Sequence, residues 1–78
     1  MIIKAHDELE VLHAFAAGDA VRPQNDDVED FCEKLRRYCY AQRYHGSKLY
    51  VPTTRGTIRA VDAIGKPAQQ AHTERVNQ

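Results

Sequence analysis

Two cysteines and four histidines are the side chains in this sequence best suited to nucleophilic or metal chemistry. Cys32 and Cys39 stand seven positions apart, which on one helix places them on a common face about 10 Å apart along the axis. That exceeds the ~7 Å Cα separation a disulfide can bridge. Both thiols are therefore expected to be free and packed in an apolar stripe, where cysteine behaves as a small hydrophobe. His6, His13, His45 and His72 do not form the close pairs that zinc sites use. Nothing supplies a Cys–His pair with an oxyanion hole or an orienting acid, and Gly46 and Gly56 do not make a phosphate loop. The expectation is a protein that is not an enzyme and holds no metal or cofactor.

Charge is the stronger signal. The formal net charge is zero, but the halves differ. Residues 1–33 carry nine acids against Lys4 and Arg22, whereas residues 34–78 carry nine bases against Asp62 and Glu74. From Lys34 to Arg59 there are seven bases, no acid, and all four tyrosines. Clustered cations with interleaved aromatics can neutralise phosphates and stack on bases. The same split also allows the two halves to attract each other, within the chain or between protomers. On the first reading Arg36, Arg37, Tyr40, Arg43, Tyr44, Lys48 and Arg55 form a contact surface for nucleic acid or an acidic host protein. On the second they are a solvated, neutralised face.

The elements that must position these groups follow from periodicity and punctuation. Ile2-Ile3 suits a short strand or an arm. Asp7 and Glu10 have the spacing of a capping box, Leu9, Leu12, Phe15 and Ala16 follow helical spacing, and Gly18 can stop the turn, which predicts a helix over 8–17. Residues 19–25 read as a loop around Arg22-Pro23. Val28, Phe31, Cys32, Leu35, Cys39 and Gln42 predict a helix over 27–45, opened by Asn25–Asp27 and closed by His45-Gly46. Its stripe of Phe31, Leu35 and Cys39 is expected to pack on Leu12 and Phe15. Ser47–Val51 reads as an edge strand ended by Pro52. A third helix, capped by Thr53 or Thr54 and stopped by Gly65, would bury Ile58, Val61 and Ile64.

Seventy-eight residues with 42% hydrophobic and 28% charged side chains suit one small domain, here 1–66, followed by a flexible tail over 67–78. A domain of this size is marginal alone, so a homodimer is expected. Apolar runs reach four residues at most, far short of a ~20-residue membrane span, and no signal peptide is evident. Those features predict a cytoplasmic protein that does not meet the membrane. The expected fold is mostly α: about three helices and one short edge strand, in an intertwined homodimer pairing Leu49, Tyr50 and Val51 across the twofold.

Tyr44, Gly46, Leu49, Tyr50, Val51 and Pro52, with a helix on either side, resemble the central segment of the Mor transcription activators of Mu-like phages. There a helix runs into a Gly-rich turn, an [IV]-Tyr-[IV]-Pro strand and a further helix. The resemblance covers about thirty residues; Ser47 stands at the family's second glycine and Thr53–Gly56 replace its basic–Gly pair. It implies the dimer-forming part of such a regulator rather than its helix-turn-helix. The functional expectation is a small phage or mobile-element regulator that binds nucleic acid or the transcription machinery through the basic face. The alternative is an inhibitor of anti-CRISPR type, or an antagonist of a host regulator, acting by protein–protein binding.

Overall fold

The computed structural model describes the backbone of residues 1–77 and the side chains of residues 1–65. Strand β1 (Ile2–Ala5) leads through helix α1 (Glu8–Ala16) to β2 (Ala20–Pro23), and helix α2 (Asp26–Arg37) leads on to β3 (Ala41–Arg43). A hairpin returns as β4 (Tyr50–Pro52), and α3 (Thr54–Asn77) follows. The sheet order is β1-β2-β4-β3. β1 is parallel to β2, while β4 is antiparallel to both β2 and β3. This is a mixed four-stranded α/β fold and not the expected mostly α fold with one edge strand. The segment read as a loop over 19–25 holds β2.

The two helical crossovers run in the same direction across the sheet, so right-handed connections place α1 and α2 on one face. α3 packs chiefly against α1 on that side. The inner face of the sheet and the helices bury Ala5, Val11, Phe15, Val21, Val28, Cys32, Ala41 and Tyr50. Phe31, Leu35 and Leu12 pack against this core half-buried, and Cys39 is exposed rather than part of it.

Local chemistry explains the boundaries. The Asp7 side chain accepts from the Glu10 amide at 2.8 Å, while Glu10 Oε1 accepts from the His6 amide, one residue before the position of a regular capping box. Asn25 caps α2 through the Val28 amide. Both helices end in the same device, a left-handed residue with a six-to-one amide bond behind it. In α1 it is Gly18, with Asp19 N–H bonded to the Ala14 carbonyl. In α2 it is Cys39 at φ 66°, with Tyr40 N–H bonded to the Leu35 carbonyl at 2.8 Å. The helix expected over 27–45 therefore stops at Arg37, and its last third becomes β3.

Thr53 joins these pieces. Its hydroxyl accepts from the Gly56 amide at 3.0 Å and donates to the Cys39 carbonyl at 2.8 Å, fixing the start of α3 against the end of α2. α3 passes through Gly65, which does not stop it. Among its described residues the buried positions are Gly56 and Ala60, while Ile58 and Val61, expected inside, lie on the outside and Ile64 is half-buried. The tail expected at 67–78 lies outside the residues whose side chains are described.

Candidate nucleic-acid interface

The basic segment does not form one continuous patch, and Glu33 is the reason. It sits on the sheet-facing side of α2, where Arg36 Nη2 and Nε donate to Oε1 at 2.7 and 2.9 Å. Arg43 Nη1 approaches Oε2 at 3.5 Å, and the Tyr50 hydroxyl donates to the same oxygen. Hydrogen bonds from Arg36 and then Tyr50 hold the Glu33 carboxyl below the usual carboxylate range, against the opposing effect of its partial desolvation. Burial, and then donation to Glu33, pushes the Tyr50 phenol well above its ordinary value. The Glu33 partner likewise raises Arg36. One turn earlier, Glu29 holds Lys48 at 3.2 Å.

Arg36, Arg43 and Lys48 are thus engaged by acids of α2, so attraction between the two halves operates within the chain. A shallow depression of about 630 Å³ beside Arg36 and Arg43 is flanked by two cations that share the single carboxylate of Glu33. Arg37 donates at 3.4 Å to the carbonyl of Glu33, inside its own helix. Arg55 lies 5.5 Å from the centre of the Tyr40 ring, itself 6.3 Å from that of Tyr38, a cation–π arrangement at the junction of α2 and α3.

Tyr44 belongs elsewhere. Strand alternation puts Arg43 with Tyr50 on the inner face, and Gln42 and Tyr44 on the outer one. Leu49, Tyr50 and Val51, assigned to a dimer strand, lie in and beside β4, an inner strand flanked by β2 and β3. Tyr50 is fully buried. The reasoning that this strand lacks a partner within the chain is thereby corrected, and no strand edge is free there to pair across a twofold.

The outer face of the sheet carries no helix among the described residues. Register sets one row across all four strands. Lys4 pairs with Arg22, Arg22 lies one step from the Val21–Tyr50 pair and so opposite Leu49, and the Tyr44 amide bonds to the Leu49 carbonyl at 2.9 Å. At ~4.8 Å per strand the row spans about 14 Å. Lys4 and Arg22 are exposed and Tyr44 is 58% exposed. Neither cation has an ion-pair partner among the described residues. The parallel row is Ile2, Ala20, Val51 and Gln42, so the strand positions of this face hold no acid.

Sequence reasoning missed Lys4 and Arg22 because they sit in the acidic half. The available signal was the short alternation Ile2-Ile3-Lys4-Ala5 and Ala20-Val21-Arg22-Pro23, in which each base falls on the face opposite Ala5 or Val21. Among the described residues no three His, Cys, Asp or Glu side chains gather as a metal site, and no helix is long and apolar enough to cross a membrane. No protein-family model, curated protein or solved structure matches the chain.

Proposed function

We propose that this protein is a small non-catalytic regulator that binds single-stranded nucleic acid on the open face of its sheet. The observation that carries the reading is the pairing of Lys4 with Arg22 on adjacent strands of an acid-free face. Like charges directly opposite one another destabilise a sheet, and a run of phosphates would turn that cost into attraction. Tyr44 at the far end of the row offers a ring on which an unstacked base can lie, and Leu49 and Val51 give an apolar floor between. The Mor-like residues supply this platform, since Tyr44, Leu49 and Val51 belong to the β3–β4 hairpin.

The test is fluorescence anisotropy with a labelled mixed-sequence single-stranded DNA, comparing the parent with Lys4→Gln/Arg22→Gln. Binding should weaken with salt, and the double variant should flatten the log–log salt slope by about 1.4 (about 0.7 for each phosphate that is no longer neutralised). The same variant should melt no lower than the parent, because it relieves a repulsion. A parent that does not bind at low salt, or a double variant that binds equally well, refutes the proposal. A second reading, an inhibitor acting by protein contact, rests on a groove of about 400 Å³ where Leu12, Phe31 and Leu35 remain half-open beside Tyr38. It predicts that Phe31→Asp abolishes partner binding while Lys4→Gln/Arg22→Gln does not.

A further inference from the structure

The outward side of α3 carries an aliphatic ridge that the fold leaves uncovered. Ile58 is 64% exposed and Val61 41% exposed, although both are β-branched residues of a helix whose buried side, among the described residues, consists of Gly56 and Ala60. Ile58, Val61 and Gly65 are spaced i, i+3 and i+7, which aligns them along one side of the helix. Gly65 adds no side chain and permits a close approach. The ridge lies on the side of α3 away from buried Gly56 and Ala60, with Tyr40 at its margin beside Ile58, and its position on α3 separates it from the open sheet face.

The charges beside the ridge indicate what fits it. Arg55 and Arg59 flank its N-terminal part and Asp62 its C-terminal part, with Arg59 Nη1 and Asp62 Oδ2 3.9 Å apart within the free helix. A parallel copy of the same helix would set arginine against arginine. An antiparallel copy brings the arginine end of each helix to the Asp62 end of the other, twice over, as a twofold axis requires. The surface is thus self-complementary in shape class and in charge order.

We infer that the outer face of α3 is a self-association surface, and that its occupant is the same face of a second copy of this chain packed antiparallel. Ile58 and Val61 of the two copies interdigitate at the seam, and Arg55 and Arg59 of each protomer meet Asp62 of its partner. This interface differs from the strand pairing excluded above, because it uses a helix face and leaves the sheet intact. It also doubles the Lys4–Arg22–Tyr44 row in the assembly.

Sedimentation equilibrium of the full chain from about 1 to 200 μM tests it. The parent should be a dimer within that range. Ile58→Asp should retain the parent's circular dichroism and weaken the dimer at least about 100-fold, because each substitution enters the seam twice. Orientation is tested by charge exchange: Arg55→Glu/Arg59→Glu and Asp62→Arg should each self-associate more weakly than the parent, and their mixture should form a heterodimer tighter than either homodimer. A parent monomeric throughout, or an Ile58→Asp protein that dimerises as the parent does, overturns the surface. A mixture no tighter than the separate variants overturns the antiparallel arrangement. Lys4→Gln/Arg22→Gln should leave the dimer unchanged, so failure of nucleic-acid binding and failure of self-association are read separately.

Discussion

Tyr50→Phe isolates the single hydroxyl that joins the sheet to α2. Tyr50 is fully buried, and its O–H donates to Glu33. Phenylalanine keeps the ring and its packing, so the expected loss is that of one hydrogen bond to a charged acceptor, about 1.5–3 kcal/mol. Arg36 and Arg43 still hold Glu33, which places the effect in the lower half of that range. A 78-residue domain has a total stability of about 4–12 kcal/mol, so the loss is large. At about 4–8 °C per kcal/mol, Tm should fall by roughly 6 °C or more. Urea melts of Tyr50→Phe, Glu33→Gln and the double variant give the coupling energy directly. Glu33 is depressed in the fold, so the stability it contributes is fully present above its ordinary value near 4.5 and is lost as pH falls through the lower folded value. The parent should therefore lose stability below pH 4.5 more steeply than Glu33→Gln. A Tyr50→Phe protein within about 0.5 kcal/mol of the parent, with no coupling to Glu33, would refute the hub.

The remaining predictions concern backbone and thiols. Gly56→Ala should cost about 1–3 kcal/mol or more, because an added Cβ would lie 1.7 Å from the Tyr40 carbonyl oxygen, a backbone atom that cannot rotate away; an unchanged urea midpoint would contradict this contact. Cys39→Gly should raise stability by up to about 1 kcal/mol, since Cys39 holds a left-handed conformation that glycine adopts without penalty, and a loss of stability would show that its side chain has a structural role. Iodoacetamide at pH 8 should alkylate exposed Cys39 in the native protein and reach Cys32 only in denaturant. Burial pushes the Cys32 thiol up to about 12, and equal labelling of both would refute that burial.

What was legible in the sequence was mostly short-range. The Asp7 cap and the Gly18 stop are local devices that appear where the residue types placed them, and of the alternatives left open for the other two helices Asn25 and Thr53 are the caps. The end of α2 was not legible. Apolar spacing continues through Cys39 and Gln42, while the terminator is a cysteine in a conformation normally given to glycine. Ile2-Ile3 suits a short strand or an arm and begins β1, whereas β2 and β3 have only four and three residues, too few for a period of two to outweigh the helical signal beside them. The strand expected over 47–51 forms as Tyr50–Pro52, with Pro52 inside it, and it lies within the sheet rather than at an edge, because its neighbours could be known only once those strands were. The same error inverted α3, where the larger aliphatics were assigned inside although contact with neighbouring segments requires Gly56 and Ala60 there.

The misreading of the basic surface has a more general physical origin. A helical reading keeps Arg36, Arg37, Tyr40 and Arg43 on one outward face, because residues three and four apart are neighbours. Once the chain turns at Cys39, alternation takes over and adjacent residues separate. Arg43 turns inward to Glu33 and Ser47, and Tyr44 turns outward to join Leu49, Arg22 and Lys4. Arg36 and Arg43 share Glu33 and Lys48 meets Glu29, so these three cations are engaged by acids of α2, while Lys34, Arg37 and Arg55 of the same segment have no ion-pair partner among the described residues. The two bases of the acidic half, Lys4 and Arg22, also lack an ion-pair partner among the described residues, and they stand side by side on the open sheet face. Local composition counts charges along the chain, whereas a ligand meets the charges left over after the fold has paired the rest. Binding on the open sheet face should therefore depend more on Lys4 and Arg22 than on Arg36, Arg43 or Lys48, whose charges are engaged by acids of α2.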